Sequence, residues 1–166
     1  LRTGNKQSQL LQEVKDTLKA SFPKTDIRGD GPVIKVPFQS FAVELVPAFP
    51  LTSGRYCIPI TTNGGSYKEF DPDAEFEAGK KSNTATSENT RELIRMMKAW
   101  QGCCSVPVKS FWIEILAVEF LSTWEYAGKS RVYYDWMVRD FLKYLVGKAN
   151  SYLFVPGTYE LIFIGD

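Results

Sequence analysis

The stretch PVKSFWIEILAVEFLSTW, Pro107–Trp124, decides how the second half of this chain is read. From Phe111 to Leu121 only Glu114 and Glu119 interrupt an apolar run. A helix that is apolar on most sides is one that others surround. The reading that follows is a central helix in a helical bundle. The run is too short to cross a bilayer, and no stretch of 18 apolar residues occurs anywhere, so no membrane span is expected.

The neighbouring segments supply the helices that would surround it. Before it, NTRELIRMMKAW carries Leu93, Ile94, Met97 and Trp100 at helical spacing. Asn89 is placed to cap that helix, with Glu92 reaching back as in a capping box, and Gly102 to close it. After it, SRVYYDWMVRDFLKYLVGKA puts Tyr133, Trp136, Met137, Phe141, Tyr144 and Leu145 on one side. TYELIFI at the end reads as a strand.

The first half reads differently. QSQLLQEVKDTLKASFP predicts a helix through Leu10, Leu11, Val14 and Leu18, with Ser8 as cap and Pro23 as stop. PVIKVPF and FAVELVP are β-type runs separated by Gln39–Ser40, the pattern of a hairpin, with Pro37 favouring an edge or a bulge. On the second run Phe41, Val43 and Leu45 alternate with Ala42, Glu44 and Val46, so Glu44 shares its face with apolar strand neighbours. From Pro47 to Asn89 the chain reads as irregular, with RYCIPI as one short strand. The expected class is α+β, residues 1–88 preceding a helical region of residues 89–166.

Composition bounds the function. With 44% hydrophobic and 14% aromatic residues among 166, the chain can bury a core. A net charge of +1 gives no global attraction to nucleic acid, which is not an expected partner. The absence of histidine excludes His–Cys zinc patterns and every His-based triad. Three cysteines, Cys57 and the adjacent Cys103–Cys104, form no framework and suit a reducing, cytoplasmic setting.

Several residue sets could carry chemistry. Arg91, Arg95 and Lys98 recur along one helix face; such a stripe suits a polyphosphate, or is a solvated surface. Glu44 reads as a metal ligand or as an edge-strand charge. Glu114 reads as a site carboxylate or as half of a buried ion pair. Ser110–Phe111 opens the central helix, where a hydroxyl and free N–H groups suit phosphate and an aromatic ring suits a base; a cap followed by a core Phe is the plainer reading. Cys103–Cys104 reads as a pair of unreactive loop thiols.

VELVPAF (Val43–Phe49), LIRMMKAW (Leu93–Trp100) and KSFWIEIL (Lys109–Leu116), in that order, resemble the CD-NTase family, the cyclic-GMP-AMP-synthase-like and oligoadenylate-synthetase-like nucleotidyltransferases. The resemblance runs from about Leu10 to Asp166. It implies part of a polymerase-beta-like nucleotidyltransferase sheet followed by an α-helical bundle. It also implies an enzyme that joins nucleoside triphosphates into cyclic di- or trinucleotides and releases pyrophosphate, with magnesium or manganese, in bacterial antiphage signalling.

Carried over by position, Glu44 stands where the family has its third metal-site carboxylate, usually aspartate. Lys98 matches the lysine on the donor triphosphate, and Arg95 a neighbouring basic contact. Ser110 matches a phosphate-contacting hydroxyl, and Phe111 the aromatic that stacks on the base. Nucleoside triphosphates are thus the implied partners, with room for a regulatory protein.

The family's Gly-Ser turn and first two carboxylates precede the helix that begins here near Gln7. The expectation is therefore a fragment of a longer enzyme, not competent alone. GGSYKEFDPD, Gly64–Asp73, imitates that turn and pair, but only Tyr67 to Phe70 separate Ser66 from Asp71, and Pro72 splits the aspartates. It reads as loop chemistry, and the resemblance implies a loop bordering the pocket. The alternatives to an enzyme are a non-catalytic nucleotide-binding module and a scaffold domain.

Overall fold

The structure, a computed structural model, describes residues 7–62, 64–156 and 160–165. The chain forms two compact units, one through Asp71 and one from Pro72.

The first unit opens with α1 (Gln7–Ser21) and continues through β1 (Arg28–Asp30), β2 (Val33–Pro37) and β3 (Ala42–Leu45). These strands form an antiparallel sheet in that order. Leu11 of α1 packs with Ile27, Ile34 and Val36, and Val14 and Leu18 close over them. The i, i+3, i+7 spacing therefore does what its pattern predicts. Ser8 lies inside the helix and not at its cap.

The hairpin between β2 and β3 turns at Gln39–Ser40, with the Phe38 N–H donating to the Phe41 carbonyl at 2.8 Å. Pro37 closes β2 opposite Ala42. β1 accompanies β2 only as far as Lys35, so at Pro37 the central strand has one neighbour and the missing N–H costs no ladder bond.

A second antiparallel sheet contains β4 (Phe49–Pro50), β5 (Tyr56–Ile60) and β6 (Ser66–Phe70). Gly64 and Gly65, at φ 86° and 89°, turn the chain between β5 and β6. Only part of GGSYKEFDPD is thus a turn. Ser66–Phe70 is strand, and Pro72 and Asp73 begin a helix.

The second unit contains α2 (Pro72–Ala85), α3 (Asn89–Cys104), α4 (Ser110–Thr123) and α5 (Tyr134–Lys148), then the hairpin of β7 (Ser151–Phe154) and β8 (Leu161–Ile164). α4 is central. Its Ile113, Leu116, Ala117, Phe120 and Leu121 are buried with Leu93 and Met97 of α3, Met137 and Phe141 of α5, and Leu153 of β7. Ile94 and Trp100 pack against this core, as their spacing requires. Truncating a side chain as enclosed as Phe141, which has no exposed surface, costs about 3–5 kcal/mol.

Three local readings change. α2 was read as irregular, yet proline at the first helical position and Asp73 and Glu75 in its first turn are what a helix start favours. The capping of α3 is also different: its preceding residue, Glu88, is left-handed and offers no side-chain cap. Asn83 and Thr86, at the end of α2, do that work. Asn83 Oδ1 accepts the Arg91 N–H at 2.9 Å, and Thr86 Oγ1 accepts the Thr90 N–H at 3.2 Å. Finally, α3 runs through Gly102, so Cys103 and Cys104 end a helix, exposed, and Ser105 takes the left-handed terminal position.

Candidate functional site

The basic stripe lies on the exposed side of α3. Arg91 pairs with Glu88 at 3.2 Å and Arg95 with Glu92 at 3.3 Å, both one turn back. Both guanidinium groups are well exposed, so these pairs add at most a few tenths of a kcal/mol to stability. Lys98 differs from both: its Nζ donates to Glu114 on α4 and joins two helices. Glu114 was read as half of a buried ion pair. The pair exists, but both side chains are about half exposed.

Ser110 begins α4, and its hydroxyl donates to Gln101 Oε1 at 3.0 Å. Gln101 also donates through Nε2 to the Val108 carbonyl. One amide side chain therefore fixes both the loop before α4 and the hydroxyl on its first residue. Ser110 stays exposed, and Lys109 before it makes no side-chain cap. The first N–H groups of the helix are left with the weak positive potential that any helix start carries.

Phe111, the next residue, is half-buried and forms part of a cavity of about 610 Å³ within the second unit. That volume is in the range of small-molecule sites. α4 contributes Phe111, Glu114, Ile115 and Val118; Phe76 of α2 and Ile94 of α3 stand beside them. Tyr152, Phe154 and Leu161 of the β7–β8 hairpin complete the apolar wall.

Three carboxylates, Glu75, Glu114 and Glu119, also reach the lining. Glu119 accepts from Lys148, whose ammonium is held above its ordinary value first by that hydrogen bond. Arg95, Lys98 and Ser110 are not among the lining residues. Lys98 reaches the cavity's edge only through Glu114.

The structure thus brings Lys98, Ser110 and Phe111 to neighbouring positions on α3 and α4, and puts Arg95 one turn before Lys98. The walls from α2 and β7 went unread. Pro72 with Asp73 and Glu75 was the available signal for α2; for β7, SYLF carried only a short alternation.

Glu44 belongs to the first unit. Its cross-strand partner is Lys35, whose Nζ lies 3.4 Å from Glu44 Oε1 and 2.7 Å from Asp30 Oδ2. Ile34 and Val36 point into the core, so Lys35 and Glu44 point away from it. Glu44 is 58% exposed, and its nearest charge is a cation rather than the apolar strand neighbours expected. Lys35 is held above its ordinary value first by Asp30 and then by Glu44, and Asp30 is held below its own by Lys35. Among the described residues no three His, Cys, Asp or Glu side chains converge to hold a metal. Glu44 alone is one carboxylate, not a metal centre. Among the described residues, too, no helix is long and apolar enough to cross a membrane.

The fold is mixed α/β, with small antiparallel sheets and five helices among the described residues. Among solved structures, the CdnE cyclic dinucleotide synthase of Elizabethkingia meningoseptica, determined with GTP and Apcpp, matches with a TM-score of 0.70 at 14% identity. The match covers 96% of this chain and 64% of that one. Residues 2–83 match the model of the Second Messenger Oligonucleotide or Dinucleotide Synthetase domain. None of the curated proteins matches the sequence. The synthetase-domain model thus accounts for the first half of the chain, and the likeness to CdnE extends the same fold over the rest.

Proposed function

We propose that this chain is the greater part of a nucleotidyltransferase that joins nucleoside triphosphates into a cyclic di- or trinucleotide, releasing pyrophosphate. The observation that carries the proposal is the match of residues 2–83 to a second-messenger synthetase domain. The GTP and Apcpp in the CdnE structure support nucleoside triphosphates as substrates. Bacterial antiphage signalling in the cytoplasm is the setting this family suggests.

In this reading α3 and α4 form the triphosphate side of the site. Lys98, with Arg95 a turn away, neutralises the phosphates; an ammonium is a compact charge suited to that task. Ser110 gives its hydroxyl to a phosphate oxygen once it leaves Gln101, and the first N–H groups of α4 add their potential. Phe111 takes the base against its ring. Glu44 is the carboxylate this chain offers toward magnesium or manganese, and the described residues do not complete such a centre.

The test uses the full-length protein, incubated with each labelled nucleoside triphosphate and Mg²⁺ or Mn²⁺. A phosphatase-resistant cyclic product with release of pyrophosphate supports the proposal. Triphosphate binding that survives EDTA, with no product, makes the protein a non-catalytic nucleotide binder. No thermal shift with any triphosphate, and no effect of Lys98→Ala, makes it a scaffold.

A further inference from the structure

We infer that Glu114 is the residue that selects the base, and that it selects guanine; this rests on the nucleotide site proposed above.

Three observations meet at this side chain. Glu114 lines the same cavity as Phe111. The two lie three residues apart on α4, the spacing that puts side chains side by side on one helix face. The carboxylate is also bonded to Lys98, the cation that would take the triphosphate.

These observations define a sequence of contacts. Without nucleotide, Lys98 neutralises Glu114. A triphosphate is the stronger partner for Lys98, since it carries several negative charges. Once Lys98 turns to the phosphates, Glu114 is left with both oxygens unpaired at the edge of an apolar cavity. An ionised carboxylate only accepts hydrogen bonds, and a partner that fits must present donors.

Only guanine offers two adjacent donors on its pairing edge, the ring N1–H and the 2-amino group. A base stacked on Phe111 turns that edge along the helix face where Glu114 stands. Adenine instead presents one amino donor beside the N1 lone pair, so the second carboxylate oxygen there meets repulsion. Aromatic stacking holds any base; the carboxylate decides among them.

The same arrangement gives Glu114 a second effect. In the nucleotide-free protein it competes with the triphosphate for Lys98. Its neutral amide counterpart competes less and tolerates either purine, because an amide both donates and accepts.

The experiment measures binding of GTP, ATP and inorganic tripolyphosphate to the full-length protein by calorimetry, for wild type, Glu114→Gln and Glu114→Asp. The expected wild-type preference for GTP over ATP is roughly tenfold or more, the discrimination of one bidentate contact. In Glu114→Gln that ratio falls to within about twofold, while tripolyphosphate binds at least as tightly as to wild type. Glu114→Asp, one methylene short, keeps an intermediate ratio. Triphosphate binding with no guanine preference in wild type, or with a preference that survives Glu114→Gln, overturns the inference and leaves the proposed function standing. Absence of binding by all three ligands, with Lys98→Ala indistinguishable from wild type, overturns the proposed function itself.

Discussion

The Tyr134 hydroxyl, at the start of α5, donates to Asn89 Oδ1, at the start of α3, at 3.0 Å. The same amide donates through Nδ2 to the carbonyls of Ala127 and Lys129, each at 2.8 Å. Asn89 is only 4% exposed, so one buried side chain ties the first turn of α3 to the connection between α4 and α5. That connection carries no strand or long helix of its own, only a turn at residues 125–128 and the single 3-10 turn at Arg131–Tyr133.

Asn89→Ala leaves two carbonyls and a hydroxyl without their partner. The expected loss is about 2–4 kcal/mol, from the cost of buried polar groups left unpaired. Tyr134→Phe removes one bond and leaves the amide its other two, so about 1 kcal/mol is expected. Denaturant unfolding of the two variants measures both. Equal losses would mean that the backbone carbonyls find water when the amide is gone.

Lys98 and Arg95 carry similar charge but different partners. The pair with Glu114 is too exposed to add more than about 1 kcal/mol to stability, so Lys98→Ala should unfold close to wild type. If Lys98 holds the triphosphate, the same variant loses roughly 10–100-fold in triphosphate affinity, the worth of a charged hydrogen bond. Its binding also becomes less sensitive to salt. Arg95→Ala is expected to lose less, because its guanidinium is well exposed and already answered by Glu92. Denaturant unfolding checks the first of these statements, and calorimetric titration at two salt concentrations the three on binding.

Phe111 separates stacking from filling. Phe111→Leu keeps an apolar group at the cavity wall and removes the ring. Nucleotide binding should weaken by about 1–3 kcal/mol while tripolyphosphate binding is unchanged. Phe111→Tyr keeps the ring and most of the affinity. A parallel loss for tripolyphosphate would place the effect in the packing of α4 and not in the base.

The sequence and the fold agree where packing leaves one solution. An apolar run as dense as Phe111–Leu121 can only be enclosed, and Leu93, Met97, Met137 and Phe141 repeat at the spacing that encloses it. The β2–β3 hairpin was equally legible from alternation and a short polar turn. What went unread depended on partners far along the chain. Asn89 looks like a cap in sequence because caps are local, but its bonds run to Ala127, Lys129 and Tyr134. α3 is capped instead by Asn83 and Thr86, in a segment whose glycine, serine and threonines disguised a helix. Glu44 was readable as a strand carboxylate. That Lys35 stands opposite it follows from the hairpin register, available once Gln39–Ser40 is taken as the turn.

Tyr144 gives a pH test of the second unit. Burial pushes its hydroxyl up to about 12, with Glu119 adding to the shift, above the ordinary value of about 10. A raised value means that the folded state favours the neutral phenol. The contribution to stability is complete below about pH 10 and is lost as the pH rises toward about 12. Tyrosinate absorbance against pH should show a late-titrating fraction from among the eight tyrosines. Tyr144→Phe should shrink it, leaving the part due to Tyr126, which Glu125 also holds up, and lessen the loss of stability across that window.

Glu44 offers the sharpest division between fold and chemistry. It is exposed, on the side of β3 away from the core, and its tie to Lys35 at 3.4 Å is one of two that Lys35 makes. Glu44→Gln should therefore change stability by no more than about 0.5 kcal/mol, as surface substitutions do. If Glu44 serves the metal site of the complete enzyme, the same variant of the full-length protein should lose product formation by more than the roughly 10–100-fold typical of residues that only support metal ligands. Glu44→Asp, the residue that the resemblance leads one to expect there, should then keep activity or raise it. Binding of tripolyphosphate without metal should be the same in all three proteins, because Lys98 and Ser110 are untouched. Unchanged turnover in Glu44→Gln would assign Glu44 to the surface ion pair with Lys35 and nothing more.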